Sequence, residues 1–158
     1  TIPMRILILF FTILLCNTSF AQNYDVKAYQ FHQSIVEAQE NIGKEMYEFN
    51  TSATELNLKI LKYEINRSMV FLDSLKVYNN ETNYYNAAKK LFNTYKNISE
   101  QEHPNLLKIV EDPDMDYKDF KVKKIEIFNS VKKKMENAYP SFNEAQKQFC
   151  LKYKLKLE

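Results

Sequence analysis

Beyond residue 21 this chain contains one glycine, Gly43, and prolines only at 104, 113 and 140. Tight hairpins draw on Gly or Asn-Gly turns, so a meander of strands has almost nothing to turn with. The same stretch carries apolar residues at steps of three and four, the repeat of one helix face. These two facts predict an all-α fold.

The first stripe is Phe31, Ile35, Ala38, Ile42, Met46 and Phe49, in a helix from about Tyr24 to Phe49. Gly43 lies within it, at a cost of about 1 kcal/mol against Ala, and reads as a close approach of a neighbouring helix. Ser52-Ala53-Thr54-Glu55 has capping-box spacing and starts a second helix that runs to about Tyr78. Its row is Leu58, Leu61, Ile65, Leu72 and Leu75, with Leu56, Ile60, Tyr63 and Val70 beside it, a breadth expected of a helix touching two neighbours. A polar turn at residues 79–83 precedes a third helix from about Asn83 to Gln101, with Tyr84, Ala88, Leu91, Tyr95 and Ile98 inward. His103-Pro104 ends it, because the residue before a proline resists helical geometry. The apolar segment 106–110 then caps one end of the core. After the acidic loop 111–116, Asp116 caps a fourth helix whose stripe holds register from Phe120 to Phe149 through Ile127, Val131, Met135, Ala138, Phe142 and Ala145. Pro140 falls inside that register and reads as a kink. Four such helices, each roughly 30–50 Å long, pack most economically as an up-down-up-down four-helix bundle.

The N-terminal segment has a different character. Met4 reads as the true start, with Thr1-Ile2-Pro3 a remnant. Arg5 precedes an apolar run from Ile6 to Leu15, and Ser19-Phe20-Ala21 supplies small residues at the −3 and −1 positions of a cleavage site. This is the order of a secretory signal, which places residues 1–21 as signal peptide and 22–158 as one helical domain. A membrane span needs about 20 apolar residues, and Asn17, Thr18 and Ser19 interrupt too early. Cys16 offers a second route, a lipid-anchored lipoprotein, but Leu15 is not the small residue that such processing wants. Cleavage leaves Cys150 as the one cysteine, expected to be a buried apolar residue. The address expected is export to the periplasm or cell surface.

Loss of Arg5 takes the formal net charge from +2 to +1. Phosphate backbones call for a concentrated basic field, so nucleic acid is not the expected partner. Charge is nonetheless segregated: residues 117–158 hold eleven lysines against five acids, and 100–119 hold seven acids against two lysines. Lys132-Lys133-Lys134 suits an acidic partner or lipid headgroups, although a solvated face is the plainer reading. The Asn-x-Ser/Thr triplets at Asn50, Asn66, Asn80 and Asn97 matter only in a host that glycosylates.

Chemistry-bearing patterns are sparse. His32, beside Phe31, reads as solvent-facing and His103 as a helix end. Glu100-Gln101-Glu102-His103 has the Glu-x-x-His spacing of di-iron bundles, but such sites use it twice with two further carboxylates. Asp112-Pro113-Asp114-Met115-Asp116 imitates the start of a calcium loop, yet Tyr117 and Lys123 stand where Gly and Glu are needed. No nucleophile–base pairing is visible. No catalytic, cofactor or metal residue is assigned, and the expectation is a protein that is not an enzyme.

Three stretches, Ala28–Gln39, Asn83–Tyr95 and Phe142–Tyr153, resemble an uncharacterised family of secreted helical surface proteins of Gram-negative bacteria. The last resembles the family's closing signature: an aromatic residue, then Gln, Phe and the Lys152-Tyr153 pair. Cys150 stands where that family carries a small Ala, and Pro140 departs from its uninterrupted last helix. The resemblance implies a helical fold and export, and it transfers no catalytic residue. The function expected is a non-enzymatic binding or scaffolding module for another protein or envelope component. The alternative is a carrier of a small apolar ligand between the helices.

Overall fold

The structure, a computed structural model, describes residues 25–156. The signal-like segment, Cys16 and Tyr24 lie outside the described residues. Four helices make up the described chain: α1 (Val26–Thr51), α2 (Glu55–Ser74), α3 (Thr82–Glu111) and α4 (Tyr117–Tyr153), with a 3-10 turn at Tyr78–Asn80 before α3. The protein is an all-α four-helix bundle.

Local chemistry sets the ends. Asp25 caps α1 by accepting from the Lys27 and Ala28 amides, and Asp116 caps α4 by accepting from Lys118. The cap of α2 is Thr54, which accepts from Asn57; Ser52, expected in that role, instead closes α1. Asn79 and Asn80 both take positive φ (49° and 61°), a conformation Asn tolerates better than most residues, and this lets the chain turn without glycine.

Ring contacts give the helix directions. Phe31 near the start of α1 lies 6.2 Å from Tyr84 at the start of α3 and 5.5 Å from Phe149 near the end of α4, while Tyr78 follows α2 at 6.5 Å from Phe31. At the other end Phe49 of α1 meets His103 of α3 at 4.6 Å. Successive helices therefore alternate in direction. Their inward rows (Ile35 and Ile42, Leu61 and Ile65, Leu91 and Phe92, Phe142 and Phe149) form one hydrophobic cluster. Side chains of this size contribute about 1.5–3 kcal/mol each on burial.

Several expectations need correction. Pro104 does not end α3, which continues to Glu111. An interior proline costs about 3 kcal/mol, but the turns that follow bury Leu106, Leu107 and Ile109, which at about 1.5–3 kcal/mol apiece outweigh that loss. Pro140 lies inside a continuous α4, as its unbroken stripe predicts. Gly43 is exposed, and a Cβ there would meet nothing within 4 Å, so no helix among the described residues approaches it. His32 is buried, on the seam where α1 meets α4. The second row of α2 is not an inward row: Leu56, Ile60, Tyr63 and Val70 are all exposed.

Candidate interaction surface

Among the described residues three buried polar groups could bear chemistry, at His32, His103 and Glu102, apart from the Glu64–Ser68 pair of α2. At one end the His32 Nδ1 shares a 3.0 Å hydrogen bond with the Tyr84 hydroxyl, and Cys150 Sγ lies 3.7 Å from Nε2 and 4.0 Å from Nδ1. Near-equal distances to both nitrogens put the sulfur off the lone-pair axis of either one, so the imidazole is not aimed to take the thiol proton. Burial also pushes the Cys150 thiol up from its usual pKa. A neutral, buried thiol is a poor nucleophile, and the group reads as a small core residue.

His103, expected at a helix end, is inside α3 and buried; its Nδ1 has no hydrogen-bond partner. Burial holds its pKa down at about 4 against the nearby Glu102, so the ring is neutral near pH 7. Glu100, its partner in the Glu-x-x-His spacing, is exposed and pairs instead with Lys96 at 3.9 Å. The spacing brings no site together. Among the described residues, no three His, Cys, Asp or Glu side chains are placed to hold a metal ion.

The third cluster ties α3 to α4. Lys134 Nζ donates to Asn97, Gln101 and Glu102, and Ser130 donates to Glu102 at 2.8 Å. Burial pushes the Glu102 carboxyl up, but the hydrogen bonds from Lys134 and Ser130 outweigh it and hold the group below its usual value. Lys134 is thus a structural cation, and the expected solvated face survives only at its exposed neighbours Lys132 and Lys133. Lys134 and Asn97 of this cluster also line an open groove of about 580 Å³ together with Asn86, Lys89, Lys90, Asn93 and Asn137.

The surface itself is less ordinary. Along α2, Leu56, Ile60, Tyr63, Arg67, Val70 and Ser74 recur at steps of four and three, the a/d spacing of a coiled-coil seam. Among the described residues none has a neighbouring helix over it: Leu56 is 65%, Tyr63 69% and Val70 71% exposed. Phe71 widens the row and borders a 250 Å³ groove between α1 and α2, which Ser34, Ala38 and Asn41 line from the other side. The one charge in the row is neutralised within the helix, because Arg67 donates twice to Glu64, at 3.0 and 2.9 Å. Glu64 in turn accepts from Ser68 at 3.1 Å, so the carboxylate faces inward and only the guanidinium borders the apolar strip. Tyrosine and arginine within an apolar strip are the residue types that most often anchor protein interfaces.

Hydropathy signalled this row in the sequence as the flank of α2, but periodicity alone cannot say whether the neighbour belongs to the same chain. No family model, curated protein or solved structure matches this chain.

Proposed function

We propose that this protein is a non-enzymatic binding or scaffolding module of the bacterial envelope, exported to the periplasm or cell surface, and that it docks a helical partner on the outer face of α2. The observation that carries the reading is the exposed row Leu56, Ile60, Tyr63, Arg67 and Val70. A monomer rarely leaves a contiguous apolar strip of this kind in water unless something covers it. The seam spacing favours a partner that presents a helix of its own. Export rests on the signal-like order of residues 1–21 and on the family resemblance; lipidation at Cys16 would hold the same module at a membrane.

The carrier alternative draws less support. Aromatic side chains that would line a ligand cavity pack on one another instead, Tyr84 with Phe142 at 5.7 Å and with Phe149 at 5.1 Å.

Photo-cross-linking from position 63 in cells exporting the protein tests the docking face. A discrete adduct larger than the monomer is expected. Recovery of bare monomer alone, with a cross-linker at Asn66 giving the same result, would remove the case for a docked partner.

A further inference from the structure

α4 has a second unpartnered face, and its chemistry differs from that of α2. No residue of α4 before Ala138 is fully buried; its N-terminal half is tied to α3 by the Lys134 cluster, with Phe120 and Ile127 half-buried against the core. At about 100° per residue, Tyr117, Val122, Ile125 and Phe128 fall within one sector away from α3, and all four are exposed. Over residues 117–132 the lysines in that sector are Lys118, Lys121 and Lys132, with Asn129 as the remaining member; one turn further on, Glu136 shares the sector and pairs with Lys132 at 3.7 Å. Asp119 and Glu126 lie on the flank beyond Val122, about 40–60° outside the sector by the same spacing. Beside the sector, Lys124 Nζ sits 5.6 Å from the rings of both Phe120 and Phe128, and Lys121 sits 5.0 Å from Tyr117. These lysine stems lie along aromatic surface with their charges at its margin.

We infer that this sector of α4 is a docking face for an anionic phospholipid bilayer. The inference goes beyond the α2 reading and does not depend on it. Charge selects the partner: residues 117–134 carry seven lysines against two acids, Asp119 and Glu126, and neither acid lies in the sector that holds the exposed apolar side chains. Interleaved aromatic, aliphatic and lysine residues on a convex helix are what an interfacial helix uses, apolar groups entering the headgroup boundary while ammonium groups meet phosphates.

Vesicle co-sedimentation of the exported chain tests this. The chain should bind vesicles of equimolar phosphatidylglycerol and phosphatidylcholine, not vesicles of phosphatidylcholine alone, and binding should weaken as salt rises from about 0.1 to about 0.5 M. The double variant Ile125→Glu, Phe128→Glu and the double variant Lys121→Glu, Lys132→Glu should each lower the vesicle partition coefficient at least about tenfold. Both change exposed positions, so the urea midpoint should not move. An equal charge change elsewhere, Lys44→Glu with Lys76→Glu, should leave partition within about twofold, since charge near the bilayer decays within a Debye length.

Three results would overturn the inference: no binding to the anionic vesicles, binding indifferent to the Ile125 and Phe128 changes, or an equal loss in the Lys44 and Lys76 control. A lipid-free dimer dissolved by Ile125→Glu would also overturn it and assign the face to a second copy. Changes at Ile60 and Val70 should not alter vesicle binding, so failure here and failure of the α2 reading are separable.

Discussion

The two rows of α2 are made of similar residues and meet opposite fates. Leu58, Leu61, Ile65 and Leu72 are buried against α1 and α3, with Leu61 and Ile65 fully inaccessible, whereas Leu56, Ile60, Tyr63 and Val70 stand in solvent. Composition does not separate them. What does is the presence of a neighbouring helix: the described residues cover the inner row and leave the outer one open, where the proposed partner would dock.

The largest expected effect lies on the inward row. Leu61→Ala should cost about 2–5 kcal/mol, as loss of a buried leucine side chain does, measured as a shift in urea midpoint. Val70→Ala on the outward row should stay within about 0.5 kcal/mol. Equal costs at the two positions would break the distinction.

The bundle interior makes a second demand that the outer row escapes, since it must keep polar groups uncharged or paired. His103 has a native pKa of about 4 against 6.5 for the unconstrained ring. The unfolded chain therefore takes up a proton first as pH falls. Stability should decline from about pH 6.5 towards pH 4, by about 2–3 kcal/mol at pH 4.5 for this group alone, and level off below. The difference in unfolding free energy between wild type and His103→Leu, followed by urea melts across that range, isolates the contribution. A pH-independent difference would show that His103 is not held neutral.

Glu102→Ala leaves Ser130 without its acceptor and Lys134 with only the neutral acceptors Asn97 and Gln101, and should cost about 2 kcal/mol, a value that urea melts would check. Smallest is Gly43→Ala. With open space around the missing Cβ and no positive φ, alanine should stabilise α1 by about 0.5–1 kcal/mol and raise the melting temperature. A loss there would mean that something covers this exposed flank of α1 after all.

Much of the fold was legible because inward rows repeat at the helical period. Phe31 to Phe49 in α1 and Tyr84 to Ile98 in α3 are buried as the spacing predicts, apart from half-buried Met46. Where reading failed, a tertiary contact outweighed a local rule. Pro104 normally stops a helix, but three apolar residues beyond it find the core. His32 sits one residue off the apolar stripe, and only the approach of α4 with Cys150 turns that flank into interior. Gly43 suggested a close helix contact, yet α1 meets α4 near Phe31 and His32 rather than there. The candidate surface was visible as residues but not as a surface: Leu56, Ile60, Tyr63 and Val70 read as a second core row, since no hydropathy pattern states which chain supplies the neighbour.

The central claim is that the outer row of α2 is covered by another molecule. Its most direct test is the yield of photo-cross-linked adduct from position 63, in the otherwise unchanged protein and with Ile60→Lys and Val70→Lys added, in cells that export it. The account predicts an adduct in the first case, its loss in the second, and a urea midpoint within about 0.5 kcal/mol of unfolding free energy in both. An adduct that persists with both lysines in place, or none in either protein, would contradict it.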